Sequence, residues 1–175
     1  MRWHKVACMV TALILAGGKS TRMGQDKALM AGGVERLVAV ARSLGVDRII
    51  TLCGSNERVA LFEGEVWPDP AACSSLMDVI YWALGAIEGA VQLIPCDAFQ
   101  LEYTGLSKLI ASNGGAPVDS DGERQPLLAN CPAGWSPARD VKNIQAMFAD
   151  LPSLNLGDVI GEMKNFNSPE TISEE

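Results

Sequence analysis

The chain has a single histidine, His4, close to its amino terminus. One imidazole there supports neither a histidine metal cluster nor a Ser-His-Asp triad. Cysteine is sparse and unpatterned. Cys8, Cys53, Cys73, Cys96 and Cys131 are odd in number and contain no C-x-x-C pair. They read as small buried apolar side chains in a reducing cytosol, not as a disulfide framework or a zinc site. Positive charge is also in deficit: 14 Lys and Arg stand against 21 Asp and Glu, a net charge of −7. That balance argues against nucleic acid as a partner, because phosphate backbones favour a basic surface. No apolar run is long enough to span a membrane, so no membrane association is expected. Repeats, linkers and low-complexity tracts are missing as well.

What remains is an ordinary globular composition. A chain of 175 residues, 48% hydrophobic and 20% charged, can bury a sizeable core and predicts one domain over residues 1–175, placed in the cytoplasm. Arg2 and Lys5 precede an apolar run over residues 6–16, a pattern that mimics a secretory signal. Thr11 interrupts that run, and it ends in a distinctive loop, so it reads as a strand buried on both faces of a parallel sheet.

The loop is Gly17-Gly18-Lys19-Ser20-Thr21-Arg22-Met23-Gly24-Gln25-Asp26-Lys27. Glycine lets backbone N–H groups approach an anion closely, and Lys19, Arg22 and Lys27 neutralise its charge. It is not a P-loop. The glycine required five residues before Gly18 is Leu13, so the Gly-Lys-Ser triplet is coincidental. Nor is it a dinucleotide fingerprint, since Gly17, Gly18 and Gly24 lack the Gly-x-Gly-x-x-Gly spacing.

Beyond the loop, strand and helix patterns alternate. Leu37, Val38, Ala41 and Leu44 recur at helical spacing, with Gly45 as a C-cap. Residues 47–53 and 64–68 read as strands, the second ending at Asp69. Ser75-Leu76-Met77-Asp78 is a capping box, followed by one apolar helical face through Leu76, Val79, Ile80, Ala83, Leu84 and Ile87. Residues 90–95 form a strand whose end carries Cys96-Asp97. A helix follows over 104–111. Asp121-Gly122 predicts a hairpin between arms at 116–120 and 125–131. Ser136-Pro137 predicts a helix start, with Val141, Ile144, Met147 and Phe148 inward. A last strand is expected near Val159. The whole predicts an α/β fold: a single Rossmann-like, doubly wound, mostly parallel sheet with an antiparallel excursion.

In such a sheet ligands bind beyond the carboxyl ends of the strands. The loop and Asp97 both lie at such ends, which predicts that they face one crevice. One carboxylate at a strand tip suits Mg²⁺, which takes one or two carboxylates plus phosphate oxygens and water. It also suits a turn or helix-cap aspartate.

The run L-A-G-G-x-S-x-R-M-G-x-D-K resembles the signature loop of the single-domain nucleoside-triphosphate transferases, and in particular that of the molybdenum cofactor guanylyltransferases (the MobA-like family). Pro95-Cys96-Asp97 is similar to the family's P-x-D metal motif. Asp121-Gly122-Glu123-Arg124 and Asn165-Phe166-Asn167-Ser168-Pro169-Glu170 are similar to two further stretches of the family. The resemblance implies transfer of GMP from GTP to the terminal phosphate of molybdopterin carrying molybdenum. Pyrophosphate leaves and a guanine dinucleotide forms. It also implies partners that receive the product and insert the cofactor. Leu15, Ala16, Gly17, Gly18, Lys27, Asp69 and Asp97 would hold the nucleotide. Arg22 and Lys27 would stabilise charge on the reacting phosphates, Asp97 would carry Mg²⁺, and Asp69 would accept from guanine. Arg124, Asn165 and Asn167 would line the acceptor site. Asp26 is expected to pair with or orient Lys27 or Arg22.

Three stretches depart from the family. The P-G-P-L-x-G-I segment usual after the base-reading aspartate is here residues 70–78, without its glycines. Val34-Glu35-Arg36-Leu37 replaces a Lys-Pro-Leu, and Cys53 stands where an asparagine is usual. These departures leave two alternatives open: a related transferase using CTP or a sugar or polyol phosphate acceptor, and a non-catalytic nucleotide- or cofactor-binding module.

Overall fold

The computed structural model describes residues 9–18 and 26–164. The first elements are β1 (Val10–Leu15), α1 (Gly33–Ser43), β2 (Arg48–Gly54), a 3-10 helix (Asn56–Leu61), β3 (Glu65–Pro68), α2 (Leu76–Ala86), β4 (Ala90–Pro95) and α3 (Tyr103–Ala111), with strand and helix alternating. Then come β5 (Ala116–Pro117), β6 (Asn130–Cys131), the single turn α4 (Ile144–Met147) and β7 (Ser153–Leu154). The main sheet has the order β3-β2-β1-β4-β6, parallel except for β4 with β6.

The strand β1 is apolar on both sides because it faces two cores. Leu13 and Leu15 pack with α2 and with Met147 and Phe148 around α4. Ala12, Ile14 and Ala16 pack with α1 and α3 on the opposite face. Strand periodicity sends alternate side chains to opposite faces, so a continuous apolar run is what a doubly covered sheet requires. Helix α2 begins as its sequence predicts. The Ser75 hydroxyl accepts from the Asp78 N–H, while the Asp78 carboxylate accepts from the backbone of Ser74 and Ser75. Such a cap contributes about 1 kcal/mol.

The carboxy-terminal third differs from the pattern read in the sequence. The antiparallel excursion exists as β6 on β4, and the expected turn at Asp121-Gly122 closes through the Val118–Arg124 bridge, with the Asp119 N–H donating to Glu123 O at 2.9 Å and the Gln125 N–H to Pro117 O at 2.8 Å. Pro126 opens a 3-10 turn over Pro126–Leu128; lacking an N–H, it cannot continue a ladder. The segment near Val159 is a 3-10 helix, Gly157–Met163, not a strand. Its spacing lets Val159 and Met163 reach the α1–α3 core together. The expected helix after Pro137 is reduced to α4, capped by Asn143, whose Oδ1 accepts from the Ala146 N–H.

Candidate active site

The strand order reverses direction at β1, which has β2 on one side and β4 on the other. Leu15 is level with Pro95 across the β1–β4 ladder, and the Cys96 N–H extends the ladder by donating to Leu15 O at 3.1 Å. Two residues further on, the chain reaches Gly17 on one side and Asp97 on the other. This is the switch point at which doubly wound sheets open a crevice.

A cavity of about 400 Å³ occupies that crevice. Leu15, Gly17, Gly18, Lys27, Asp69 and Asp97 all line it, together with apolar walls from Leu52, Leu76, Val79 and Leu127. Six residues singled out from the sequence, spread over more than eighty positions, thus share one enclosure. Lys27 Nζ donates to Asp97 Oδ2 at 3.1 Å, with side chains 16% and 18% exposed. Ala16 serves through its backbone. Its N–H donates to Leu52 O at 2.8 Å, and its carbonyl accepts from Arg58. Arg22, Lys19, Asn165 and Asn167 lie outside the described residues.

Asp69 follows β3 directly, and its N–H donates to Gly54 O at 2.6 Å. Desolvation by its surroundings pushes its carboxyl up from the ordinary value. Among the described residues no hydrogen bond to that carboxylate is present, so it stands in the cavity wall as an acceptor available to a ligand. The backbones of Gly17 and Gly54 touch beside it. A Cβ on Gly54 would lie 2.7 Å from Gly17 O, and Gly54 has φ +85°, a conformation glycine alone tolerates easily.

Asp26 is expected from the sequence to pair with or orient Lys27 or Arg22; Arg22 lies outside the described residues, and Asp26 is ion-paired with Arg58. Its Oδ1 also accepts from the Ala28 N–H at 3.0 Å and starts the 3-10 helix Lys27–Gly32. Arg124, expected at the acceptor, does not line this cavity. Its guanidinium donates to Phe148 O at 2.8 Å, Leu151 O at 2.7 Å and Ser153 Oγ at 3.2 Å, fastening the 119–124 turn to the segment before β7.

Three residues that the sequence reading passed over shape the site: Gly54, Arg58 and Arg36. Arg36 of α1 donates to Ala98 O and Leu101 O, both at 2.6 Å, and so holds the turn that follows Asp97. Gly54 and Arg58 could have been found by the rule that selected Asp69 and Asp97, since both sit at the carboxyl end of a parallel strand. The thiols match the sequence expectation. Cys53 and Cys131 are buried, Cys73 and Cys96 half-buried, none of the four in a disulfide, and burial pushes Cys96 and Cys131 up to about 12.

The same architecture occurs in other solved structures. The molybdopterin-guanine dinucleotide biosynthesis protein A of Archaeoglobus fulgidus superposes with a TM-score of 0.69 at 17% identity, over 94% of this chain and 95% of that one. The 4-diphosphocytidyl-2C-methyl-D-erythritol synthase of Anaerococcus prevotii superposes at 0.60 and 11% identity, over 95% of each chain. Sheet order and the crevice at the strand ends define a doubly wound α/β protein, a fold these structures share. Residues 12–151 match the model of the MobA-like NTP transferase domain, and the chain belongs to that family. It is also 30% identical over 121 residues to a molybdenum cofactor guanylyltransferase of Xanthomonas euvesicatoria pv. vesicatoria. That alignment spans 67% of this chain and 62% of the relative, less than two thirds of the relative's length.

Proposed function

We propose that the protein transfers GMP from GTP to the terminal phosphate of molybdopterin carrying molybdenum, in the cytoplasm, for delivery to partners that insert the finished cofactor. The observation that carries this reading is the Lys27–Asp97 pair at the switch point, in one cavity with the Gly17-Gly18 backbone and the unbonded Asp69 carboxylate.

The donor set fits Mg²⁺. Among the described residues no three His, Cys, Asp or Glu side chains cluster, and Asp97 offers one partly buried carboxylate at a strand tip. Mg²⁺ prefers one or two carboxylates and fills its remaining positions with phosphate oxygens and water. When bound, it would neutralise phosphate charge and orient the leaving pyrophosphate.

The chain's own groups perform the rest. Backbone N–H groups at Gly17 and Gly18 hold phosphate oxygens. The Lys27 ammonium neutralises charge that grows as the bond from the α-phosphorus to the bridging oxygen lengthens, and Arg22 adds a second cation. Asp69 accepts from guanine N1–H and the 2-amino group. The apolar walls of Leu52, Leu76, Val79 and Leu127 keep the site poor in water, which strengthens each of these interactions. No side-chain nucleophile is required, because the acceptor phosphate is already an anion; positioning and charge stabilisation suffice.

A second reading keeps the chemistry and replaces GTP by CTP. It is favoured by one feature: residues 70–75, where the family carries its glycines, contribute nothing to the cavity lining, which leaves base discrimination to Asp69. A screen of pyrophosphate release from GTP, CTP, UTP and ATP, with and without molybdopterin, separates the two. Release only with GTP and molybdopterin supports the first reading. Release with CTP supports the second, and release with none rejects both.

A further inference from the structure

Arg58 follows β2 by four residues and is only 13% exposed in its side chain. Four of its five N–H groups have partners. Nε donates to Cys53 O at 2.7 Å and Nη2 to Ala16 O at 2.7 Å. Nη1 and Nη2 both donate to the Asp26 carboxylate, Nη2 at 3.3 Å. Its guanidinium also lies over the Phe62 ring, 5.7 Å from the centroid.

Those partners are not scattered. Ala16 is the last residue before the glycine loop and Asp26 stands next to Lys27 at its end, while Cys53 belongs to the neighbouring strand. Asp26 in turn caps the turn that begins with Lys27, and Lys27 reaches Asp97. A planar guanidinium is suited to this task, because its donors diverge in fixed directions and reach several acceptors at once. An ammonium is a point charge and cannot span both ends of the loop.

We propose that Arg58 is a positioning residue for triphosphate binding. It ties the Ala16 carbonyl at the end of β1 to the Asp26 carboxylate that caps the Lys27 turn, and so sets Lys27 at Asp97. The inference rests on the nucleotidyltransferase reading, since it assigns the clamped loop to phosphates. Arg58 does not touch the nucleotide. Its removal therefore weakens binding in proportion to the phosphates a ligand carries.

The test compares wild type with Arg58→Gln, Arg58→Lys and Asp26→Asn, each shown folded by circular dichroism well below its melting temperature. Binding of GTP with Mg²⁺ and of guanosine is measured by calorimetry. Arg58→Gln is expected to weaken GTP by about tenfold or more and guanosine by less than about threefold. Arg58→Lys falls between, because it keeps the charge and loses the fork. Adding Asp26→Asn to Arg58→Gln costs GTP affinity little more, since both break one connection. The Ala28 amide, which donates to Asp26, exchanges with solvent faster in Arg58→Gln while β1 amides do not. Equal losses for GTP and guanosine, or unchanged GTP affinity, would overturn the proposal. Should wild type bind no triphosphate, the nucleotidyltransferase reading fails instead, and Ala28 exchange still reports whether the clamp exists.

Discussion

Lys27 Nζ and Asp97 Oδ2 are 3.1 Å apart although seventy residues separate them in the chain. The contact exists because β1 and β4 are neighbours in the sheet and both strands end at the same level. On the proposed reading the cation serves a phosphate and the carboxylate a metal; here the two pair with one another. Replacing Lys27 removes the cation beside Asp97 in a partly buried site.

The first expectation concerns that pair. Lys27→Ala lowers turnover by about 10²–10³-fold, the usual effect of deleting one positioned charge-stabilising donor. The protein stays folded, as checked by circular dichroism alongside steady-state kinetics. Asp97→Asn lowers turnover similarly and weakens Mg²⁺ binding, measured directly by calorimetry. Near-normal rates in either variant would contradict the assignment.

Asp69 gives a pH dependence whose sign is fixed. Desolvation raises its carboxyl above the ordinary 3.8. The folded state then binds the proton more tightly than the unfolded chain. Its contribution to stability falls as pH rises from the ordinary value through the raised one, and stays lower above it. Asp69→Asn should melt at a higher temperature than wild type at neutral pH, with the difference shrinking in acid. The same substitution should weaken GTP, because the amide nitrogen opposes guanine with a donor where an acceptor is needed. Calorimetry of unfolding and of binding checks both halves.

Gly54 is required by close approach. Its φ of +85° and the 2.7 Å separation that a Cβ would have from Gly17 O make Gly54→Ala strained twice over. The variant should lose about 1–3 kcal/mol of stability, read from chemical denaturation. It should also weaken triphosphate binding, because relief of the clash displaces Gly17.

Arg124 offers the contrasting case. Its three contacts fasten two segments away from the cavity. Arg124→Ala is expected to cost about 1.5–3 kcal/mol through lost charged hydrogen bonds, while GTP affinity remains unchanged. A rise in the KM for molybdopterin at full stability would instead restore the acceptor role that the family resemblance implies.

Much of the site was legible in the sequence because it obeys one placement rule. Strands with continuous apolar character must be buried on both faces, their carboxyl ends gather at one edge, and Gly17, Asp69 and Asp97 each lie just past such an end. The partner of Asp26 was not legible. Nothing in the spacing of Asp26 and Arg58 announces that one guanidinium will span Ala16, Cys53 and Asp26; the sheet order decides it. The later elements were harder still. Strands β5, β6 and β7 are two residues each, too short for periodicity to register. Val159 and Met163 fit a 3-10 turn only because the α1–α3 core stands ready to receive them.

The proposed reaction moves a nucleotide onto a pterin phosphate in this cavity. The most direct measurement is pyrophosphate release by the full chain with GTP, Mg²⁺ and molybdopterin carrying molybdenum, with each omitted in turn. Release is expected only when all are present, with a guanine dinucleotide accumulating in equal amount. Tight GTP binding without any pyrophosphate would contradict it and mark the protein as a binding module.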